Sequence, residues 1–139
     1  MRPEVRCEIE QLNARYAWSL DLQDYVGLRE VFTPDAVYAS RGQTFAGAEQ
    51  IIASFAGRES GRTTRHGWSS LWLAAEPDRT VSGRSTWFCF AAFGSIPAPS
   101  ADVYTVADFH DTYILAAQGW RIAQRTIVPI FRDGALAPR

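Results

Sequence analysis

The stretch RTTRHGWSS, residues 62–70, holds one of the two histidines of the chain. Imidazole is the side chain whose ordinary pKa lets it both give and take a proton near neutral pH, as eliminations and isomerisations require. In a strand beginning there, His66, Trp68, Ser70 and Trp72 share one face, so the imidazole stands beside two indoles, an apolar wall suited to proton transfer on an organic substrate. A strand-start histidine satisfied by water or backbone accounts for the same pattern. The segment SLDLQDY, residues 19–25, adds two aspartates. Asp24 is placed to cap the helix that follows. Asp21 is left over, and a helical wheel turns it away from the apolar face, towards solvent. Only a turn that redirected it inward would let it orient an imidazole and stabilise its charged form. In ADFHDTYILAAQGWRIAQR, residues 107–125, strand parity puts Asp108 and His110 on one face and Ala107, Phe109, Asp111 and Tyr113 on the other. Asp111 has Arg121 and Arg125 as possible cross-strand partners, and His110 belongs to the surface.

These groups need a frame. Val5, Ile9, Leu12, Tyr16 and Leu20 recur at helical spacing and predict a helix from Glu4 to Leu20. A second is expected from Tyr25 to Phe32, ended by Pro34, and a third from Ala48 to Ala56 between Gly47 and Gly57. Residues 58–65, RESGRTTR, look like a polar loop. Beyond it, period-two patterning predicts strands near 66–75, 80–93, 102–117 and 120–131, with a short one over Ala36–Ser40. Turns fall at EPDR, GSIPAPS and AQG. Helices followed by a run of long antiparallel strands make one α+β domain over residues 1–139, in which a long curved sheet with helices across its concave side encloses a pocket.

The composition narrows the function. With 14 basic and 15 acidic side chains the formal charge is -1, so no chain-wide field favours nucleic acid or an anionic membrane. No stretch is long enough to span a bilayer and the N-terminus lacks a signal-peptide core, so a cytoplasmic location is expected. Cys7 and Cys89 are far apart and read as two buried, reduced thiols. Phosphate-cradling loops, nucleophile elbows, dinucleotide fingerprints and metal-ligand spacings do not occur, so a site without cofactor or metal is expected. Five Trp, five Tyr and eight Phe make 13% of the chain, enough to fill a core and also to wall a pocket. Trp87, Phe88, Phe90 and Phe93 crowd one strand with more apolar surface than the helices cover, and a homo-oligomer, dimer or trimer, is expected.

The succession YAWSLDLQDY, LREVFTPDAVY, FAGAEQII, RHGW and DTYILAAQGWRIAQR resembles the SnoaL-like branch of the nuclear transport factor 2-like superfamily over essentially the whole chain. That resemblance implies a cone-shaped α+β barrel: three N-terminal helices packed on a strongly curved, mixed but mostly antiparallel sheet enclosing a pocket. The dehydratases of the superfamily, scytalone dehydratase and bile acid 7α-dehydratase, imply a catalytic pair at Asp21 and His66, with a catalytic tyrosine at Tyr16. The family's tyrosine on the first short strand falls near Ser40, with Tyr38 two residues back. Polar catalytic groups of the relatives fall near Phe88 and Cys89, and near Ala107 and Phe109, so the remainder of the pocket is apolar and another substrate is implied. Tyr38, Ser40, Trp68, Phe88, Cys89, Phe109 and Asp111 are the expected substrate contacts.

The leading expectation is a cofactor-independent dehydratase or isomerase acting on a small hydrophobic cyclic substrate, a polyketide, steroid or aromatic intermediate. In it His66 removes an activated proton and later returns it to the leaving hydroxyl, Asp21 fixes the imidazole tautomer, and Tyr16 donates to developing negative charge. A non-catalytic ligand carrier or structural subunit, like the small subunit of ring-hydroxylating dioxygenases, is one alternative; there Asp21 and His66 would stand apart. Polyketide cyclisation or epoxide opening by an aspartate, Asp108 or Asp111, is the other.

Overall fold

The computed structural model describes residues 1–58 and 61–139. Helix α1 (Pro3–Asp21) starts on a proline whose missing N–H costs nothing in a first turn, and it buries Ile9, Leu12, Asn13 and Tyr16. Asp24 caps α2 (Tyr25–Arg29) by accepting from the Gly27 N–H at 3.0 Å. That helix is shorter than expected: the chain is already extended at Phe32, where β1 (Phe32–Ser40) begins and runs through Pro34. An unexpected strand β2 (Gln43–Ala46) folds back on β1 and pairs Tyr38 with Phe45; α3 (Ala48–Ala56) follows.

Four long strands complete the sheet: β3 (Arg62–Ala75), β4 (Val81–Phe93), β5 (Asp102–Ala116) and β6 (Gly119–Arg132). Their order is β2-β1-β6-β5-β4-β3, all antiparallel except β1 against β6. The β1–β6 register shifts between Phe32 and Val37, the interval that contains Pro34, which has no N–H for the ladder. The sheet curves around α1 and α3 but does not close into a barrel, and β2 and β3 remain its edges. A short helical turn (Gly134–Leu136) then carries the tail past Tyr104, whose carbonyl accepts from Asp133 N–H at 2.8 Å.

Several expectations change here. RTTR is the first part of β3 rather than loop, because it pairs with Ala91, Ala92 and Phe93; residues 59 and 60 of the same expected loop lie outside the described residues. A bulge between Ser69 and Trp72, with Ser70 at φ 58°, resets strand parity. His66 and Trp68 therefore share the inner face, whereas Trp72 ends 75% exposed. Trp87 belongs to the core and not to an outer face, since the alternation of β4 buries Ser85, Trp87, Cys89 and Ala91. Cys7 is exposed on α1, and only Cys89 is buried; both are free thiols.

The core runs between α1, α3 and the concave face of the sheet. Gly83 is required there: a Cβ at that position would lie 2.6 Å from the Tyr113 ring. At the centre Arg125, fully buried, donates through Nε and Nη2 to the two oxygens of Asp111 at 2.8 and 3.0 Å, and through Nη2 to Asn13. Tyr113 donates to the same carboxylate at 2.8 Å and accepts from Asn13 Nδ2 at 3.0 Å. No helix of the described residues is long and apolar enough to cross a membrane.

Candidate active site

Asp21 is the last residue of α1, and β3 is an edge strand whose outer row of backbone groups has no strand to bond. The two meet. His66 N–H donates to Asp21 Oδ2 at 2.9 Å, Thr64 Oγ1 donates to Oδ1 at 2.9 Å, and His66 Nδ1 lies 2.6 Å from Oδ1. The Asp21 side chain is 3% exposed and that of His66 19%. No redirecting turn is needed, because the strand edge comes to the carboxylate.

Burial opposes the charged imidazole, but the hydrogen bond to Asp21 and the adjacent Cys89 outweigh it and hold the pKa of His66 up to about 9. Burial also opposes the Asp21 carboxylate, and its bonds to His66 and Thr64 override this and lower its pKa. At neutral pH the pair is an imidazolium bonded to a carboxylate, with Nδ1 committed to Asp21.

His66 and its cross-strand neighbour Cys89 stand on the wall of a cavity of about 90 Å³. Its floor is aromatic. Trp87 and Phe109 stack at 4.7 Å, and Tyr16 stands edge-on to Trp87 at 5.4 Å. Tyr16 and Tyr38 bring their hydroxyls within 2.9 Å of each other. Burial raises the pKa of both phenols, so at neutral pH they are neutral donors rather than bases. Beneath Tyr16 lies the Arg125 guanidinium, 4.4 Å from the ring centroid and 4.8 Å from that of Phe109.

His66, Tyr16, Tyr38, Ser40, Cys89 and Phe109 thus line one space. Phe88 borders it, but its ring belongs to the opposite face, where it covers Gly67 and meets Phe90. Trp68 stacks on Trp87 at 5.9 Å and lines a separate depression behind His66. Asp111 lies below the floor, both carboxylate oxygens taken by Arg125. Asp108 sits on the outer face beside Thr86, and His110 is exposed.

Four arginines escaped the sequence reading. Arg41, Arg58, Arg62 and Arg132 surround the cavity and two adjoining depressions. Arg58 and Arg62 belong to the arginine run before His66, which looked like solvated loop, and Arg41 and Arg132 carried no signal. Arg125 was visible as a cross-strand partner of Asp111, but its depth was not, because parity fixes a face and not how thickly that face is covered.

Residues 2–126 match the model of the SnoaL-like domain. Among solved structures, Aln2 from a Streptomyces species is 25% identical, with 93% of each chain covered and a TM-score of 0.81. A nuclear transport factor 2-like protein of Novosphingobium aromaticivorans is 24% identical over 96% of this chain and 86% of its own, TM-score 0.77. A Catenulispora acidiphila protein, solved in complex with S-DNPA, is 21% identical over 92% and 95%, TM-score 0.79. Comparison with curated proteins gives no match.

Proposed function

Because the chain belongs to the SnoaL-like family, with the cone-shaped fold of the nuclear transport factor 2-like proteins, we propose that it is a cofactor-independent lyase or isomerase working by proton transfer on a small cyclic substrate. The observation that carries this reading is the His66–Asp21 pair, 2.6 Å apart, on the wall of an aromatic cavity. The likeness to a protein that binds S-DNPA supports a small-molecule occupant.

The charge state sets the order of events. With the imidazole protonated at rest, Nε2–H first gives its proton to an oxygen of the substrate, a carbonyl or a leaving hydroxyl. The neutral ring then takes the proton from the activated carbon next to the carbonyl, which restores the imidazolium and leaves either an enol or an alkene plus water. This reverses the base-first order expected from sequence. Tyr16 and Tyr38 supply hydroxyl donors for negative charge developing on the carbonyl oxygen. Each proton-transfer role is worth ~10²–10⁴ in rate. The aspartate-only alternative finds less support, since Asp111 is bound to Arg125 and Asp108 faces outward.

Exchange of the α-hydrogens of 2-tetralone and related cyclic ketones with solvent deuterium, followed by NMR, tests the reading. The native protein should accelerate exchange, and His66→Ala should lower the rate ~10²-fold or more with an unchanged circular dichroism spectrum. A folded His66→Ala protein of native rate would exclude the assignment. We also read the protein as a cytoplasmic homo-oligomer, its contact formed by the outer face of β4, β5 and β6.

A further inference from the structure

The mouth of the cavity is far more cationic than the chain. The protein as a whole carries a formal charge of -1. Yet among the described residues lining the cavity and its two adjoining depressions, the only carboxylate is Asp21, which is already engaged by His66, and the cations include Arg41, Arg58, Arg62 and Arg132. None of the four makes an ion pair among the described residues, whereas Arg6, Arg15, Arg29 and Arg125 all do.

Three of them are held by rings instead. The guanidinium of Arg58 lies 4.7 Å from the centroid of Phe55, and Arg62 and Arg132 flank Tyr104 at 4.8 and 5.7 Å. Stacking fixes the plane of a guanidinium and leaves its N–H edge free for a planar, bidentate acceptor. Arg62 carries this furthest. Its Nε donates to the Leu136 carbonyl at 2.9 Å, which anchors the side chain, while Nη2 is buried and has no hydrogen-bond partner among the described residues. A buried donor left unmade is costly, and a ligand oxyanion would satisfy it. Burial and the neighbouring Arg58 both lower the pKa of Arg62, strain that a bound anion would relieve. Arg62 lines the same small depression, about 70 Å³, as Asp21, Thr64 and His66.

We propose that the substrate is a ring system bearing a carboxylate, whose rings enter the aromatic cavity and whose carboxylate is gripped at the mouth by Arg62 and Arg58, beside His66. This rests on the proton-transfer reading for what happens to the ring, but the binding claim stands by itself. The grip orients the substrate so that the same end of every molecule meets Nε2. It also selects against neutral hydrophobic molecules that the floor alone would accept, because such molecules leave the Arg62 donor unsatisfied.

Calorimetric titration of the intact protein with 2-naphthoate and with its neutral isostere 2-naphthamide is the test. The carboxylate should bind roughly tenfold more tightly or better, as expected for charge-assisted bonds, and its affinity alone should fall as salt rises from about 50 to about 500 mM. Arg62→Gln and Arg58→Gln should each erode the preference, Arg62→Lys should restore only a small part of what Arg62→Gln loses because an ammonium cannot both reach the Leu136 carbonyl and present a planar fork, and Arg84→Gln, on the outer face of β4, should leave it intact. Inorganic phosphate at the same concentration should not displace 2-naphthoate. Equal binding of acid and amide, a preference that survives in the Arg58→Gln/Arg62→Gln double variant, or displacement by phosphate alone would overturn the proposal. The two readings fail separately: native protein that prefers the acid but does not accelerate ketone exchange would sink the proton-transfer reading alone, and native protein that accelerates exchange but binds acid and amide equally would sink the carboxylate grip alone.

Discussion

The carboxylate of Asp21 occupies the wrong end of its helix. The C-terminus of α1 carries the negative pole of the helix dipole, which disfavours an acidic side chain there by about 0.3–1 kcal/mol. Three donors from β3 offset this, and the hydrogen bond to Asp21 in turn raises the affinity of His66 for its proton against the cost of burial. A group whose folded pKa is raised from 6.5 to about 9 stabilises the fold fully below pH 6.5 and loses that contribution as pH climbs towards 9. Asp21, whose pKa is lowered from 3.8, contributes above 3.8 and loses its contribution as pH falls through its folded value. The stability that native protein holds over Asp21→Asn should therefore be largest between about pH 4 and 6.5 and shrink as pH rises to 9; urea titrations at about pH 5.5, 7.5 and 9.5 read it directly. Activity should follow the same proton. With imidazolium as first donor, the ketone-exchange rate falls as pH rises through about 9, and in Asp21→Asn, where the carboxylate no longer helps to oppose burial, that limb moves to lower pH. An exchange rate that instead increases through about pH 9 would restore the base-first order.

Within the elements, β5 and β6 place the floor of the site by way of a charge. Arg125 under Tyr16 and Phe109 is held by Asp111 and Asn13, Asp111 also accepts from Tyr113, and Tyr113 accepts from Asn13, so α1, β5 and β6 are locked at one level. Removing one member of a buried ion pair leaves its partner uncompensated and typically costs about 3–5 kcal/mol. Arg125→Met should lose about that much in urea unfolding, and Arg125→Met/Asp111→Leu should recover a large part of it, because two apolar groups need no partner. A single variant as stable as the native chain would mean that the guanidinium does not hold the floor in place. The parity of β5 was legible in the sequence, since Ala107, Phe109, Asp111 and Tyr113 do share the inner face. So was the α1 face that presents Tyr16. The bulge at Ser70 was not, because the left-handed backbone there carries no glycine, and it turned Trp72 out to solvent. The family resemblance paired Asp21 with His66, but the helical wheel sent it to solvent, for a different reason. A helical wheel describes one helix alone, and what buries this carboxylate is the free edge of a strand, at Thr64 and His66, far along the chain.

At the scale of the molecule, the sheet has two apolar faces and helices for only one. The concave face is covered by α1 and α3. On the other, the cross-strand row Phe88, Val106, Phe131 and the pair Phe90 and Val103 continue towards Val128, with Phe90 39%, Val103 43% and Phe131 68% exposed. Sequence reasoning located the excess apolar surface on β4 but assigned Trp87 to it, and period-two alternation sends that indole inward while Phe88 and Phe90 go out. A patch of this kind on a domain without further helices is covered most economically by its own copy, since a two-fold axis through the sheet sets each row against itself. The same strands carry Cys89, Thr105 and Pro129 on the cavity side, so a dimer formed there would stiffen the wall of the site without entering it. Phe131→Lys places a charge in the row and should convert a dimer to monomer in sedimentation equilibrium, with secondary structure retained. A native protein that sediments as a monomer at all concentrations would leave the outer face without this role.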